Sequence, residues 1–167
     1  MKYLRLILIF FAILFLNSCG YKKLNSENLN NFKIEKLEIS GEKKLAYKLK
    51  NNIEIYSSQN SKFIYDIKIN LTSTKETKIK NTTGKATRYT VKFQANTSII
   101  NTNTKNIYSK TFSSTNDYNI GSTHSATLNN EKKAIENNLN YISNEIIKFL
   151  KFLLQKNYKF QCFYSLV

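Results

Sequence analysis

Proline and tryptophan are absent from this 167-residue chain, glycine occurs four times, cysteine twice and histidine once. Each shortage closes off a class of chemistry. One histidine and two cysteines do not furnish the three or four ligands of a zinc site. Two cysteines, Cys19 and Cys162, also fall far short of the framework that staples small secreted domains. Glycine-rich phosphate loops need clustered glycines, and here they stand apart at Gly20, Gly41, Gly84 and Gly121. His124 lies among serines, with no Asp or Glu in its segment to orient it, so a Ser–His–Asp arrangement would have to be gathered from scattered residues. The expectation is a chain with no catalytic residues, no metal and no cofactor, in which His124 is an exposed or helix-capping side chain.

Acidic residues are scarce as well: 11 against 26 basic ones, for a net charge of +15. Such a balance suits an anionic partner, whether nucleic acid, a membrane surface or a phosphorylated glycolipid. Lysine, asparagine and isoleucine are overused together, which AT-rich coding would also produce, so functional charge and compositional drift both remain open.

No apolar run is long enough to span a membrane comfortably. The longest, Leu4–Leu16, covers about 13 residues at roughly 1.5 Å each, against a bilayer core of ~30 Å. Lys2 and Arg5 precede or begin it, and Ser18-Cys19 follows it closely, giving the charged, apolar and small-residue parts of a secretory signal. The segment Leu16-Asn17-Ser18-Cys19 resembles the lipobox of bacterial lipoproteins, in which the cysteine is acylated and becomes the mature N-terminus. Asn17 departs from that pattern, where a small or β-branched residue is usual. Residues 1–18 are therefore expected to be a signal peptide, and 19–31 a lipidated N-terminus and polar tether. Removing Lys2 and Arg5 with the signal leaves 24 basic and 11 acidic residues, net +13. Export makes nucleic acid an unsuitable partner for that charge.

The remaining chain reads as one domain over 32–154. Apolar residues at Phe32, Ile34, Leu37 and Ile39 change parity midway, as in a bulged or edge strand. Leu45, Leu49, Ile53 and Tyr56 form one helical stripe over 42–56, with Ser40 and Gly41 as candidate capping residues and Glu42 suited to the positive end of the helix dipole. Phe63, Tyr65, Ile67, Ile69 and Leu71 then alternate with polar residues. A turn around Asn81–Lys85 leads to a second alternating run, Tyr89 to Ile99, and a turn at Asn101–Asn106 to a third, Ile107–Ser113. From near Ser125 a long helix carries Leu128, Ile135, Leu139, Ile142, Ile146, Phe149 or Leu150, and Leu153 on one side. The order β-α-β-β-β-α predicts an α+β fold, two helices on one face of a mixed four-stranded sheet, the other face being rich in Lys, Asn, Thr and Gln. Residues 155–167 form an apolar C-terminal tail whose periodicity fits a helix extension, an added strand or a disordered segment. Cys162 within it reads as a small apolar filler.

As a whole the chain resembles the LPS-assembly lipoprotein LptE family. The likeness is carried by Cys19-Gly20-Tyr21, by Lys85-Ala86-Thr87-Arg88-Tyr89-Thr90-Val91, and by the stretch from Tyr108 past Asp117 and Tyr118 into the helix with Lys132, Lys133, Ala134 and Glu136. It is diffuse, and the proline often found after the lipidated cysteine is missing. The resemblance implies an outer-membrane lipoprotein, anchored on the periplasmic side through Cys19. It also implies a plug and assembly partner inside an LptD β-barrel that assists insertion of lipopolysaccharide and binds it. Lys80, Lys85 and Arg88 flank the first meander turn and are the candidate contacts for lipid phosphates, against the alternative of solvated hairpin charges. Rival readings are an assembly factor or pilot of another outer-membrane machine, and a module binding some other envelope ligand.

Overall fold

A computed structural model describes residues 32–164, with side chains to residue 156. The signal segment, Cys19 and the tether lie outside the described residues, and so does the side chain of Cys162. The elements are β1 (Lys33–Ser40), α1 (Lys43–Glu54), β2 (Ile64–Lys80), β3 (Ala86–Asn101), β4 (Ile107–Asn119) and α2 (His124–Tyr164). They form a four-stranded sheet in the order β1-β2-β3-β4, with β1 and β2 parallel and the other pairs antiparallel. This is the α+β arrangement the periodicities predict.

One apolar cluster joins all six elements. Tyr65, Ile67, Ile69 and Leu71 of β2 alternate inward, as do Val91, Phe93, Ala95, Thr97 and Ile99 of β3. Leu45, Leu49 and Ile53 of α1 and Leu139, Ile142, Ile146 and Leu150 of α2 cover that face. The parity change in β1 is a bulge, a register shift between Ile34 and Lys36 against β2. Two members of the expected helical stripes are misplaced. Tyr56 falls beyond the end of α1 and Leu128 is half exposed, because the first turns of α2 run past the apolar part of the sheet; Ala134 is the first buried residue of that helix.

The capping expectation for α1 is also corrected. Glu42 occupies the N-cap position in extended conformation, with no side-chain cap bond, and Ala46 N donates to Glu42 O at 2.9 Å. Ser40 instead turns its hydroxyl to Ile69 O and Asn70 Oδ1, each at 3.3 Å. Gly41 serves a close approach: its φ is +129°, and a Cβ there would run into the Leu71 carbonyl oxygen. At α2 the cap is Thr123, whose Oγ1 accepts from Ala126 N at 3.1 Å, while His124 is the exposed first residue of the helix.

Both hairpins are longer than their alternating cores suggest. The apolar alternation of β2 stops at Leu71, yet the strand continues through Thr72–Lys80 with every one of those residues exposed. β4 likewise runs on from Ser113 to Asn119. Their pairing with β3 supplies the order: Thr72 to Lys80 lie opposite Gln94 to Ala86. At 17 residues β2 is about 56 Å long, and its second half is an arm held by backbone bonds and cross-strand side chains. The helix of 41 residues continues through residues 155–164, which selects the helix extension among the three alternatives that periodicity allows there.

Candidate functional site

The arm ends in the turn that carries the candidate cations. Asn81 organises it: its Oδ1 accepts from Thr83 N at 3.1 Å, Thr83 Oγ1 at 2.8 Å and Lys85 N at 2.9 Å. The backbone closes with Asn81 N to Lys85 O at 2.8 Å, and Gly84 takes φ +80°. Asn101 closes the opposite hairpin in the same way, its Oδ1 accepting from Asn103 N and Thr104 N at 3.0 Å. Both turns are thus asparagine-built, and the arm tip is ordered by local bonds.

Lys80 is the last residue of β2, opposite Ala86, and Lys85 lies in the turn. Both are exposed, and among the described residues their side chains make no hydrogen bond or ion pair. Arg88 is different. It sits on β3 opposite Ile79 and Asn119, is half-buried, and its Nε donates to Asn119 Oδ1 at 2.7 Å. Its guanidinium borders a cleft of about 390 Å³, lined also by Asp117, Tyr118, Asn119, Asn130, Lys133, Ala134 and Asn137. The structure therefore splits the predicted trio: two free lysines at the tip, and an oriented arginine that shares its cleft with Lys133 of α2. Lys133 was legible in the sequence only as a helix lysine, since its neighbour across the cleft is 45 residues away.

Lys78 pairs with Asp117, whose other oxygen accepts from Thr90 Oγ1 at 2.7 Å. The Lys78 hydrogen bond, and after it the Thr90 hydroxyl, hold the Asp117 carboxyl below the ordinary aspartate value. On the helix side of the same arm, Lys75 Nζ lies 2.8 Å from Glu131 Oε1 and 4.9 and 5.3 Å from the ring centres of Tyr89 and Tyr118. Burial opposes its charge, but Glu131 and the Tyr118 hydroxyl outweigh that and raise its pKa. Burial likewise pushes the Tyr118 phenol up.

Where α2 crosses β4 the covered face turns polar. Asn138 is fully buried: its Oδ1 accepts from Ser114 Oγ and Asn116 Nδ2, each at 2.7 Å, and its Nδ2 donates to Val91 O at 3.0 Å. One amide thus ties α2 to two strands with its hydrogen bonds met. Among the described residues no helix lies on the opposite face of the sheet. That face presents rows such as Ser40-Asn70-Asn96-Thr111 and Thr72-Gln94-Ser113, and its charges largely pair off as Lys36–Glu38, Lys68–Glu38, Lys92–Glu76 and Lys78–Asp117. Among the described residues, cations without an ion pair include Lys80, Lys85 and Arg88 at the end of the arm and Lys43, Lys44, Lys132 and Lys133 on the helices. Among the described residues no group of three or more His, Cys, Asp and Glu is placed to hold a metal ion.

No family model matches the chain, and no curated protein matches it. Solved structures do share its fold. A Caulobacter crescentus CB15 chain assigned as a lipoprotein superposes with a TM-score of 0.54 at 10% identity, over 77% of this chain and 93% of that one. Uncharacterized lipoprotein B from Nitrosomonas europaea gives 0.53 at 9% identity, over 76% of this chain and 88% of that one. Identity this low establishes the shared fold alone.

Proposed function

We propose that the chain is a non-catalytic lipoprotein, anchored through Cys19 to the periplasmic side of the outer membrane, that serves as plug and assembly partner of an LptD barrel and offers its β2–β3 arm to lipopolysaccharide. The observation that carries this reading is the arm: a long, ordered hairpin, exposed along the whole second half of β2, whose tip bears free Lys80 and Lys85 near an oriented Arg88. Phosphates on a glycolipid are matched by two exposed ammonium groups and one planar guanidinium already held in place. The helix-free sheet face, nearly neutral and lined with Thr, Asn, Gln and Ser, suits the polar interior of a barrel. The fold is one that solved structures assigned as lipoproteins also have, and acylation at Cys19 would keep such a domain beside its barrel.

The deciding measurement is lipopolysaccharide binding by the triple variant Lys80→Gln, Lys85→Gln, Arg88→Gln. Binding is expected to fall about tenfold or more, each charged contact being worth about 1 kcal/mol or somewhat less at a solvated site, with circular dichroism and thermal midpoint close to the parent. Undiminished affinity in the folded triple variant refutes the lipid role. Mass spectrometry of the mature N-terminus tests the anchor, with an acylated Cys19 expected. Recovery of an intact barrel from mildly solubilised outer membrane tests the partner.

A further inference from the structure

The two edges of the sheet are not alike. β1 is short, eight residues, of which Lys33, Glu35, Lys36 and Glu38 are charged, and it carries the bulge between Ile34 and Lys36. Those are the devices by which proteins keep an edge from pairing with foreign strands. β4 lacks the bulge and the shortness and carries fewer charges. It runs thirteen residues in unbroken register with β3 from Ile107 to Asn119, and its only charged residues, Lys110 and Asp117, flank a neutral centre. Among the described residues no strand lies beyond it, so the peptide groups on its outer side have no ladder partner.

A groove accompanies this bare edge. Ser113, Ser114, Thr115 and Asn116 of β4 form one wall and Asn137, Asn140 and Tyr141 of α2 the other, around about 630 Å³. The lining is entirely amide and hydroxyl apart from the Tyr141 ring, which is 53% exposed. The Asn138 clasp fixes Ser114 and Asn116 towards α2, which holds the edge straight alongside the groove.

We propose that the outer edge of β4 is a docking site for one extended segment of another polypeptide, added antiparallel as a fifth strand, with its side chains on the helix side lying in the groove over Tyr141. A strand supplies donors and acceptors at the spacing a bare edge repeats, which a sugar does not. A second copy of this chain fits poorly. α2 packs chiefly on β4, so pairing two β4 edges would bring two such helices together over strands about 4.8 Å apart, whereas packed helices need about 8–10 Å. The occupant is thus a strand with no helix on that face. This inference does not depend on lipopolysaccharide binding, and loss of that function leaves it intact.

The test uses the full mature protein and, as probe, a synthetic peptide of residues 107–119, a lone strand of matching polarity with no helix attached. Hydrogen exchange followed by mass spectrometry or NMR is expected to show added protection at alternating amides within 109–117 and no change in β1. The same peptide N-methylated at alternate amides should not protect. Ser113→Lys with Thr115→Lys, both exposed positions, should weaken peptide binding tenfold or more without lowering the thermal midpoint. Absence of β4 protection at millimolar peptide overturns the inference, as does equal protection of β1. Concentration-dependent dimers that protect β4 would assign the edge to a second copy instead. A neutral oligosaccharide that shifts Asn137, Asn140 and Tyr141 while the peptide shifts nothing would make the groove a glycan site and also refute it.

Discussion

Gly41 and Gly84 show how differently two residues of one type are constrained. Both have positive φ, but a side chain at Gly84 would meet open space, whereas one at Gly41 would strike the Leu71 carbonyl oxygen. Gly84→Ala is therefore expected to cost about 1 kcal/mol, the left-handed penalty alone. Gly41→Ala adds a backbone collision between the β1–α1 turn and β2, for about 3 kcal/mol or more in urea unfolding. Equal losses at the two sites would contradict this account. The sequence shows both as isolated glycines next to polar residues and does not distinguish them, because Leu71 is thirty residues from Gly41 and meets it only through the parallel β1–β2 pairing.

At the scale of elements, alternation and helical stripes report burial, and they identify elements only where a core is present. The first half of β2 was legible for that reason, and its exposed Thr-rich second half was not. β4 shows the same effect past Ser113, where its inward positions become Ser114 and Asn116 and their neighbour is the Asn138 amide. Among the candidate ligand residues, Lys80 and Lys85 lie at the turn where local sequence puts them, but Arg88's cleft with Lys133 depends on where α2 crosses. The arm also carries a pH expectation. Asp117 titrates below its ordinary value, so its contribution is complete above the ordinary aspartate range and is lost as pH falls through the lowered value. Exchange rates of the Lys78 and Thr90 amides, corrected for their intrinsic pH dependence, should hold steady from neutral to mildly acidic conditions and rise below that point. Asp117→Asn should abolish the step; a step that survives the substitution would place its cause elsewhere.

For the whole molecule, a single core shared by both helices and all four strands implies one cooperative unit. Leu49→Ala in α1 and Ile146→Ala in α2, both fully buried, should each remove about 3 kcal/mol and shift one common transition. Separate transitions by far-ultraviolet circular dichroism and tyrosine fluorescence would show instead that α1 and α2 stabilise different units. The order of elements, most of their inward faces, the bulged first strand and the positions of the hairpin turns follow from residue patterning, since apolar period and turn chemistry are local properties of the chain. Tertiary structure alone decided the length of the arm, the pairing of Arg88 with Lys133 across a cleft, the buried Asn138 clasp and the bare edge of β4. Each of these depends on which polar residues meet across the sheet. Polar side chains carry no period that reveals their partners, so only the register of the strands and the crossing of α2 bring those residues together.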